Sequence, residues 1–337
     1  MFGKMMNSFY YGKSGKGDYS REDLPQTRWA LFGEMLKIRL SGLCRLNLMY
    51  AVVWLPALIV ALLAVTQAYT GLADIAEMQV MVEQGTMTAE ALSENIAQFY
   101  EWLKALTFQS LVLLIPCIAI TGPFTAGIAF VTRNWARDEH AFVWSDYKDT
   151  IKDNWKQGLA VSAITSIMPL ILYVCWSFYG EMANQNMLYI VPQVISVLLV
   201  VVWLCALLYL YPLMITYRLR FRDLLRNGLL LTVGRLPMTV GLKLLSLVPV
   251  AIAVMVSFFT PYLQYAVMVL ALYYLVFGFS LSRFIGASYS NAVFDRFINP
   301  NIEGAAVNRG LYTEEDEDEA EEAEMADGES GVNESQQ

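Results

Sequence analysis

Charge is scarce in this sequence. Only 16% of its 337 residues are Asp, Glu, Lys or Arg, and 56% are hydrophobic; an ordinary soluble domain carries about 25% charged residues. Histidine is nearly missing, with His140 alone. It has no His, Cys or acid partner at ligand spacing, so neither a metal centre nor a Ser–His–Asp or Cys–His arrangement can be assembled around it. The four cysteines, Cys44, Cys117, Cys175 and Cys205, include no C-x-x-C pair and sit in or beside apolar runs. They read as inert small hydrophobes, and no disulfide is expected. The run Gly12-Lys13-Ser14 lacks the Gly that a phosphate-binding loop needs at position 7, where Asn7 stands, and no apolar strand precedes it. No cofactor and no catalytic cluster is expected, which excludes an enzyme. No nucleic-acid partner is expected either.

What is present is apolar length. Residues 46–73, 105–132, 157–180, 182–217 and 244–282 contain no Asp, Glu, Lys, Arg or His. Each exceeds the roughly 20 residues that carry a helix across a bilayer. The last run is long enough for two helices, broken at Phe259-Thr260-Pro261-Tyr262, because proline disfavours helix at the residue before it. Six spans follow, at about 47–68, 107–131, 158–179, 188–216, 238–259 and 262–282. The fold class is an all-α integral membrane protein with six transmembrane helices and cytoplasmic amphipathic helices. Since the first apolar run starts late, no cleavable secretory signal is expected.

Charge sets the expected orientation. Lys and Arg favour the cytoplasmic side of short loops. Under six spans, 22 of the 23 Lys and Arg fall on one side and only Lys104 on the other. Both termini are therefore expected in the cytoplasm. The net charge of −8 is a property of the tail: residues 303–337 hold 13 acids and one base, whereas residues 1–302 hold 22 bases and 18 acids. The expected organisation is a flexible basic segment at 1–27, a cytoplasmic amphipathic helix at 28–46, a six-span domain at 47–300 and a disordered acidic tail at 301–337. Inside the span domain, 69–106 forms an external acidic helical loop in which Thr88 can cap a helix. Residues 133–157 form a cytoplasmic loop.

No acid, arginine or histidine lies within a predicted span, and Lys243 lies near an end, from which it can snorkel to the headgroups. Proton-coupled carriers usually need such groups. Aromatic residues at the external ends, among them Trp102, Trp176, Tyr179, Tyr189, Tyr262 and Tyr265, form either an interfacial belt or a vestibule for a neutral solute such as a sugar.

Three segments stand out. In the first, Pro116, Gly122, Pro123 and Gly127 fall within twelve residues of the second span. They kink it, either for close helix packing or to open a solute site or hinge. In the second, residues 144–157, Trp144, Tyr147, Ile151 and Trp155 share a helical face, Lys148, Lys152 and Lys156 form a row beside it, and Asp146 suits the helix start behind a Ser145 cap. This is the build of a helix lying on a membrane surface or docking on a partner. In the third, 28–47, a polar stripe of Glu34, Lys37, Ser41 and Arg45 implies a helix along the inner surface or an extension of the first span.

The run from Ile120 to Gln157 resembles a known family. It holds Thr121-Gly122-Pro123-Phe-Thr-Ala-Gly127, then Arg133-Asn134, then Glu139-His140-Ala-Phe-Val-Trp144-Ser-Asp146-Tyr147, then Asn154-Trp155-Lys156-Gln157. This pattern resembles the YesL-like membrane proteins, domain of unknown function family 624, and most of all their clostridial members. Asn47 fits the start of that family's first span, and similarity in span order extends over about 28–300. The long external stretch and the acidic tail depart from the family pattern. The resemblance implies no catalytic residue. It implies a bacterial cytoplasmic-membrane protein of Gram-positive type, in a family often encoded beside carbohydrate-uptake and glycan-degradation genes. The expected function is that of a non-enzymatic accessory or scaffold for a carbohydrate ABC transporter; an autonomous transporter or channel for a neutral solute is the alternative. The expected partners are the lipid bilayer and ABC transporter subunits, with homo-oligomerisation left open. The contact residues on this reading are Arg133, Asn134, His140, Trp144, Asp146, Tyr147, Lys148, Ile151, Lys152, Asn154, Trp155 and Lys156.

Overall fold

A computed structural model describes residues 25–259 and 263–311. The basic segment up to residue 24, the acidic run from residue 312 and the 260–262 break lie outside them. Among the described residues six helices are long and apolar enough to cross a membrane: Arg28–Glu83, Ala89–Ala119, Ser145–Ala183, Met187–Thr216, Leu236–Val256 and Tyr265–Asn301. The chain is an all-helical, multi-pass membrane protein.

Helix α1 (Arg28–Glu83) starts at Thr27, whose Oγ1 accepts the Ala30 N–H at 3.3 Å. Its 56 residues reach about 84 Å at 1.5 Å per residue, far beyond the roughly 30 Å of hydrocarbon. Residues 28–47 therefore do not turn along a surface; they are one continuous helix with the first span. Leu31, Met35, Leu43, Leu46, Asn47 and Tyr50 are buried along it, whereas Leu58, Leu62 and Leu72 are exposed apolar side chains. Bilayer is what would cover these.

At its far end α1 folds back on α2 (Ala89–Ala119) through a turn in which Gly85 takes a φ of +74°, a left-handed value that favours glycine. Thr88 caps α2 as expected, accepting the Ala91 N–H at 3.3 Å. The stretch 69–106 is thus a helical hairpin that prolongs two spans, with Gly71 letting Phe99 and Trp102 pack onto α1.

The span expected at 107–131 is not one helix. It ends at Ala119, and a separate α3 (Thr121–Trp135) follows. The cause is Pro123, which has no N–H for the carbonyl four residues back, Ala119. That carbonyl accepts instead from the Ser162 hydroxyl of α4 (Ser145–Ala183). In the first turn of α3 Pro123 costs nothing, because helix-start N–H groups have no partner in any case. Twelve of the fifteen α3 residues are buried, so α3 is an inner strut and not a lipid-facing span. One hydrophobic cluster joins its Ile128, Val131 and Trp135 to α1 and Phe284. A second joins its Ala126 and Ala129 to Val161 and to α5 (Ile190–Thr216). Gly122 meets Gly158 backbone to backbone: a Cβ on Gly122 would overlap the Gly158 carbonyl and the Ser162 hydroxyl.

The segment 144–157 is likewise no separate surface helix; it is the first turns of α4. Its apolar row is divided. Tyr147 is buried against Gly127, and Ile151 packs on the same cluster, but Trp144 and Trp155 are 67% and 50% exposed. Nor does Ser145 cap it. Asp146 instead ties down the preceding loop, accepting the Phe142 N–H at 2.8 Å.

After α5 a short α6 (Phe221–Gly234) packs on it, Gly228 lying under Leu210. Then come α7 (Leu236–Phe259) and α8 (Leu263–Tyr273). Between α8 and α9 (Phe279–Phe297) stands one π turn, Tyr274–Gly278. A π turn spaces its hydrogen bonds one residue wider than an α-helix and leaves backbone groups to be satisfied from elsewhere. Asn47 satisfies them. Its Nδ2 donates to the carbonyls of Tyr274 and Leu275 at 2.8 and 2.7 Å, and its Oδ1 accepts the Ser280 N–H at 2.9 Å. With the side chain fully buried, this clasp fixes the first span to the last. Above it Tyr50, Trp54, Tyr274 and Phe279 form one aromatic cluster. The Tyr50 hydroxyl donates to Thr125 Oγ1 of α3 at 2.7 Å, since the Thr125 proton is already given to the Thr121 carbonyl.

Gly122→Leu is expected to lower the thermal unfolding midpoint of the detergent-purified protein, because overpacking costs about 1–3 kcal/mol or more. Gly33→Ala, at a position with nothing within 4 Å of its Cβ, is expected to leave it unchanged or raise it. A scanning-fluorescence comparison of the two checks this.

Candidate functional site

The polar side chains gather at one end of the bundle, where α1 starts and α9 stops. The chain leaving α3 turns at Asp138, which adopts a left-handed φ of +56°, a conformation Asp tolerates better than most residues. The turn brings the Glu139 N–H onto the Asn134 carbonyl at 2.8 Å. The Glu139 carboxylate then faces three guanidinium groups: Arg137 at 3.3 Å, Arg309 at 3.5 Å and Arg133 at 3.8 Å. Arg137 also donates to the Ala306 carbonyl at 3.0 Å. Burial and the neighbouring Arg137 pull Arg133 below the usual arginine range, with Glu139 opposing.

The second acid is Asp295 of α9, which is buried. It accepts from Arg28 at 2.8 Å and from Asn299 at 2.5 Å. Arg28 reaches Asn308 as well, at 2.6 Å. Tyr217, just past α5, donates to Asn299 Oδ1 at 2.6 Å, and Asn291 donates to the Arg133 carbonyl at 3.3 Å. One network therefore ties together the start of α1, the end of α3, the end of α5 and the segment after α9. Burial pushes the Tyr217 phenol up to about 12, so it stays protonated and remains a donor.

Of the residues expected at a contact surface, Arg133 and Asn134 are inside this network, and Tyr147 and Ile151 are in the core. Asn154 bonds to the Thr150 carbonyl of its own helix at 3.2 Å. His140 is exposed and sits edge-on to Phe142, with ring centroids 4.5 Å apart. Trp144, Lys148, Lys152, Trp155 and Lys156 are exposed. Residues 153–157 and the 217–219 link border a cleft of about 530 Å³, with Trp155, Lys156 and Arg218 on its rim. Gln157 closes its floor by donating to the Leu219 carbonyl at 3.0 Å. Three of the four helix-break residues are packing sites: Gly122 and Pro123 start α3 on Gly158, and Gly127 carries Tyr147, whereas Pro116 stays inside α2. At the other end Trp102, Trp176 and Tyr265 are largely exposed on the outside of the bundle, as interfacial rings are; Tyr262 lies outside the described residues.

Among the described residues no three His, Cys, Asp or Glu side chains come together as a metal site. Sequence reasoning missed Asn47 as a clasp, Asp295 as the hub of the network, and Lys243 with Arg283 as lining of one interior cavity. Periodicity finds apolar faces; it has no signal for a single polar side chain whose partner is 230 residues away.

Residues 102–176 match the family model described as "Protein of unknown function, DUF624". The match contains the T-G-P, R-N, W-S-D and N-W-K-Q elements and bears out the resemblance read from them. No curated protein and no solved structure matches the chain.

Glu139→Gln is expected to destabilise the protein far more than Glu101→Gln. The first leaves partly buried arginines without their counter-charge, at about 3–5 kcal/mol; the second removes an exposed pair with Lys104 of little worth. Thermal midpoints of the two variants decide it. Tyr217 gives a pH dependence. An open-chain phenol ionises near about 10, below its folded value of about 12. Its contribution is therefore intact below pH 10 and is lost as pH rises from there to about 12. Tyr217→Phe is expected to flatten that part of the stability profile.

Proposed function

We propose, from the premise of a DUF624-type segment at residues 102–176, that this multi-pass membrane protein is a non-enzymatic accessory or scaffold of a carbohydrate ABC uptake system in the bacterial cytoplasmic membrane. The observation that carries the reading is the first part of α4. There Lys152, Trp155 and Lys156, with Trp144 just before the helix, stand exposed on a helix whose Tyr147 and Gly158 pack on α3. A surface of exposed indole rings and lysines on a pinned helix suits docking of a partner's acidic, aromatic-binding face. The alternative, a transporter or channel for a neutral solute, drew its support from the Pro/Gly break. Packing of Gly122 on Gly158 gives that break a different purpose and favours the accessory reading.

Six crossings return the chain to its starting side. The excess of Lys and Arg on that side supports placing both termini in the cytoplasm, with α4 starting there. The partners of this reading are ABC permease or solute-binding subunits and the bilayer itself. The experiment is purification of the tagged protein from its native membrane in mild detergent, with identification of what accompanies it. Near-stoichiometric ABC subunits are expected, and Trp144→Ala with Trp155→Ala together is expected to lose them while the protein stays abundant. Normal partner recovery and normal sugar uptake in that double variant would defeat the docking role. A lone species that moves labelled sugar in liposomes would favour the alternative.

A further inference from the structure

A cavity of about 200 Å³ lies between α1, α3, α5, α7 and α9. Lys243 of α7 and Arg283 of α9 both line it, and none of its lining residues is acidic. Neither cation has an acidic partner among the described residues. Arg283 has only an aromatic neighbour, its guanidinium carbon 5.5 Å from the centroid of the Tyr211 ring. The Trp54 side chain lines the same cavity. Two unpaired cations at the edge of apolar helices are costly unless an anion meets them.

Leu245 and Leu247 line the cavity and are also largely exposed on α7. Leu247 stands one turn deeper in the span than Lys243. Helix α7, which forms one wall, shows Leu244, Leu247, Ile252 and Met255 largely exposed, so it borders lipid. A free, fully hydrated anion would use the cations and gain nothing from this apolar flank. An amphiphile would use both. Basic pockets between membrane helices bind acidic headgroups by this logic.

We propose that the cavity holds one acidic membrane phospholipid. Its phosphodiester lies between Lys243 and Arg283, and an acyl chain leaves past Leu247 along the exposed flank of α7 toward the bilayer interior. Aromatic walls from Tyr50 and Tyr274, held in place by the Asn47 clasp, exclude water from the charged pair and strengthen it.

The test uses the full chain in a mild neutral detergent, with phosphatidylglycerol, phosphatidylcholine or glycerol 3-phosphate added, read by native mass spectrometry. Phosphatidylglycerol is expected to be retained over phosphatidylcholine. Lys243→Gln with Arg283→Gln is expected to weaken it about thirtyfold, two near-surface cations' worth. Lys152→Gln with Lys156→Gln, which removes two exposed charges, is expected to leave it unchanged. Should the Lys243/Arg283 variant fail to fold, Leu247→Trp decides, because it crowds the path of the acyl chain and keeps both cations; it is expected to reduce phosphatidylglycerol retention. Equal retention of the two lipids, or retention unaffected by these variants, would overturn the proposal. So would full displacement of the lipid by an equal concentration of glycerol 3-phosphate, which would mark a site for a soluble anion.

Discussion

One side chain joins the two ends of the membrane domain. Asn47 offers an amide to a stretch of backbone that cannot satisfy itself, the π turn Tyr274–Gly278. The fit is chemical as well as steric. An amide has two donor hydrogens and an accepting oxygen; the turn presents two carbonyls and one N–H. Each unmet backbone group in an apolar setting costs several kcal/mol, so the first and last spans are bound to each other in one register. The consequences spread outward. The extra residue in the turn sets the rotation of α9, and with it the faces on which Arg283, Phe284 and Asp295 lie. Phe284 meets Phe32 in a stacked pair at 5.4 Å, and Asp295 meets Arg28. Tyr50, one turn above Asn47, reaches Thr125 of the inner strut.

That strut is the other organising device. The carbonyl left over by Pro123 and the bare surface of Gly122 are answered from α4, by the Ser162 hydroxyl and by Gly158. An apolar stretch of span length thereby becomes a lipid-facing helix followed by a buried one. The buried α3 touches both hydrophobic clusters, so the segment that carries the family pattern is the packing centre of the molecule. The arginines at its end, Arg133 and Arg137, continue the same function in a polar medium, where Glu139 gathers them.

The readable parts of the sequence were those governed by long-range averages. Charge-free runs located six crossing helices, Thr88 announced its cap, and the Pro/Gly cluster announced a break. Local rules failed where a distant partner decided. The helical wheel put Trp144, Tyr147, Ile151 and Trp155 on one face, yet Gly127 takes Tyr147 inward and leaves the tryptophans outside. Proline and glycine counts predict a kink but not that Ser162 and Gly158 fill it. Amphipathic periodicity at 28–47 is compatible with lying on a surface or standing upright. The choice of a single upright helix is made by Trp135 on Gly42 and by Phe284 on Phe32. The basic cavity was illegible because Lys243 and Arg283, each read alone, are ordinary span-end cations.

Hydrogen exchange across the π turn tests the clasp most directly. In detergent-purified protein the amides of 274–280 are expected to be strongly protected. In Asn47→Leu, which keeps the volume and removes the amide, the Ser280 amide and its neighbours are expected to exchange faster while the 121–135 strut keeps its protection. Unchanged protection of 274–280 in that variant would contradict the account, because the turn would then be held by something other than Asn47.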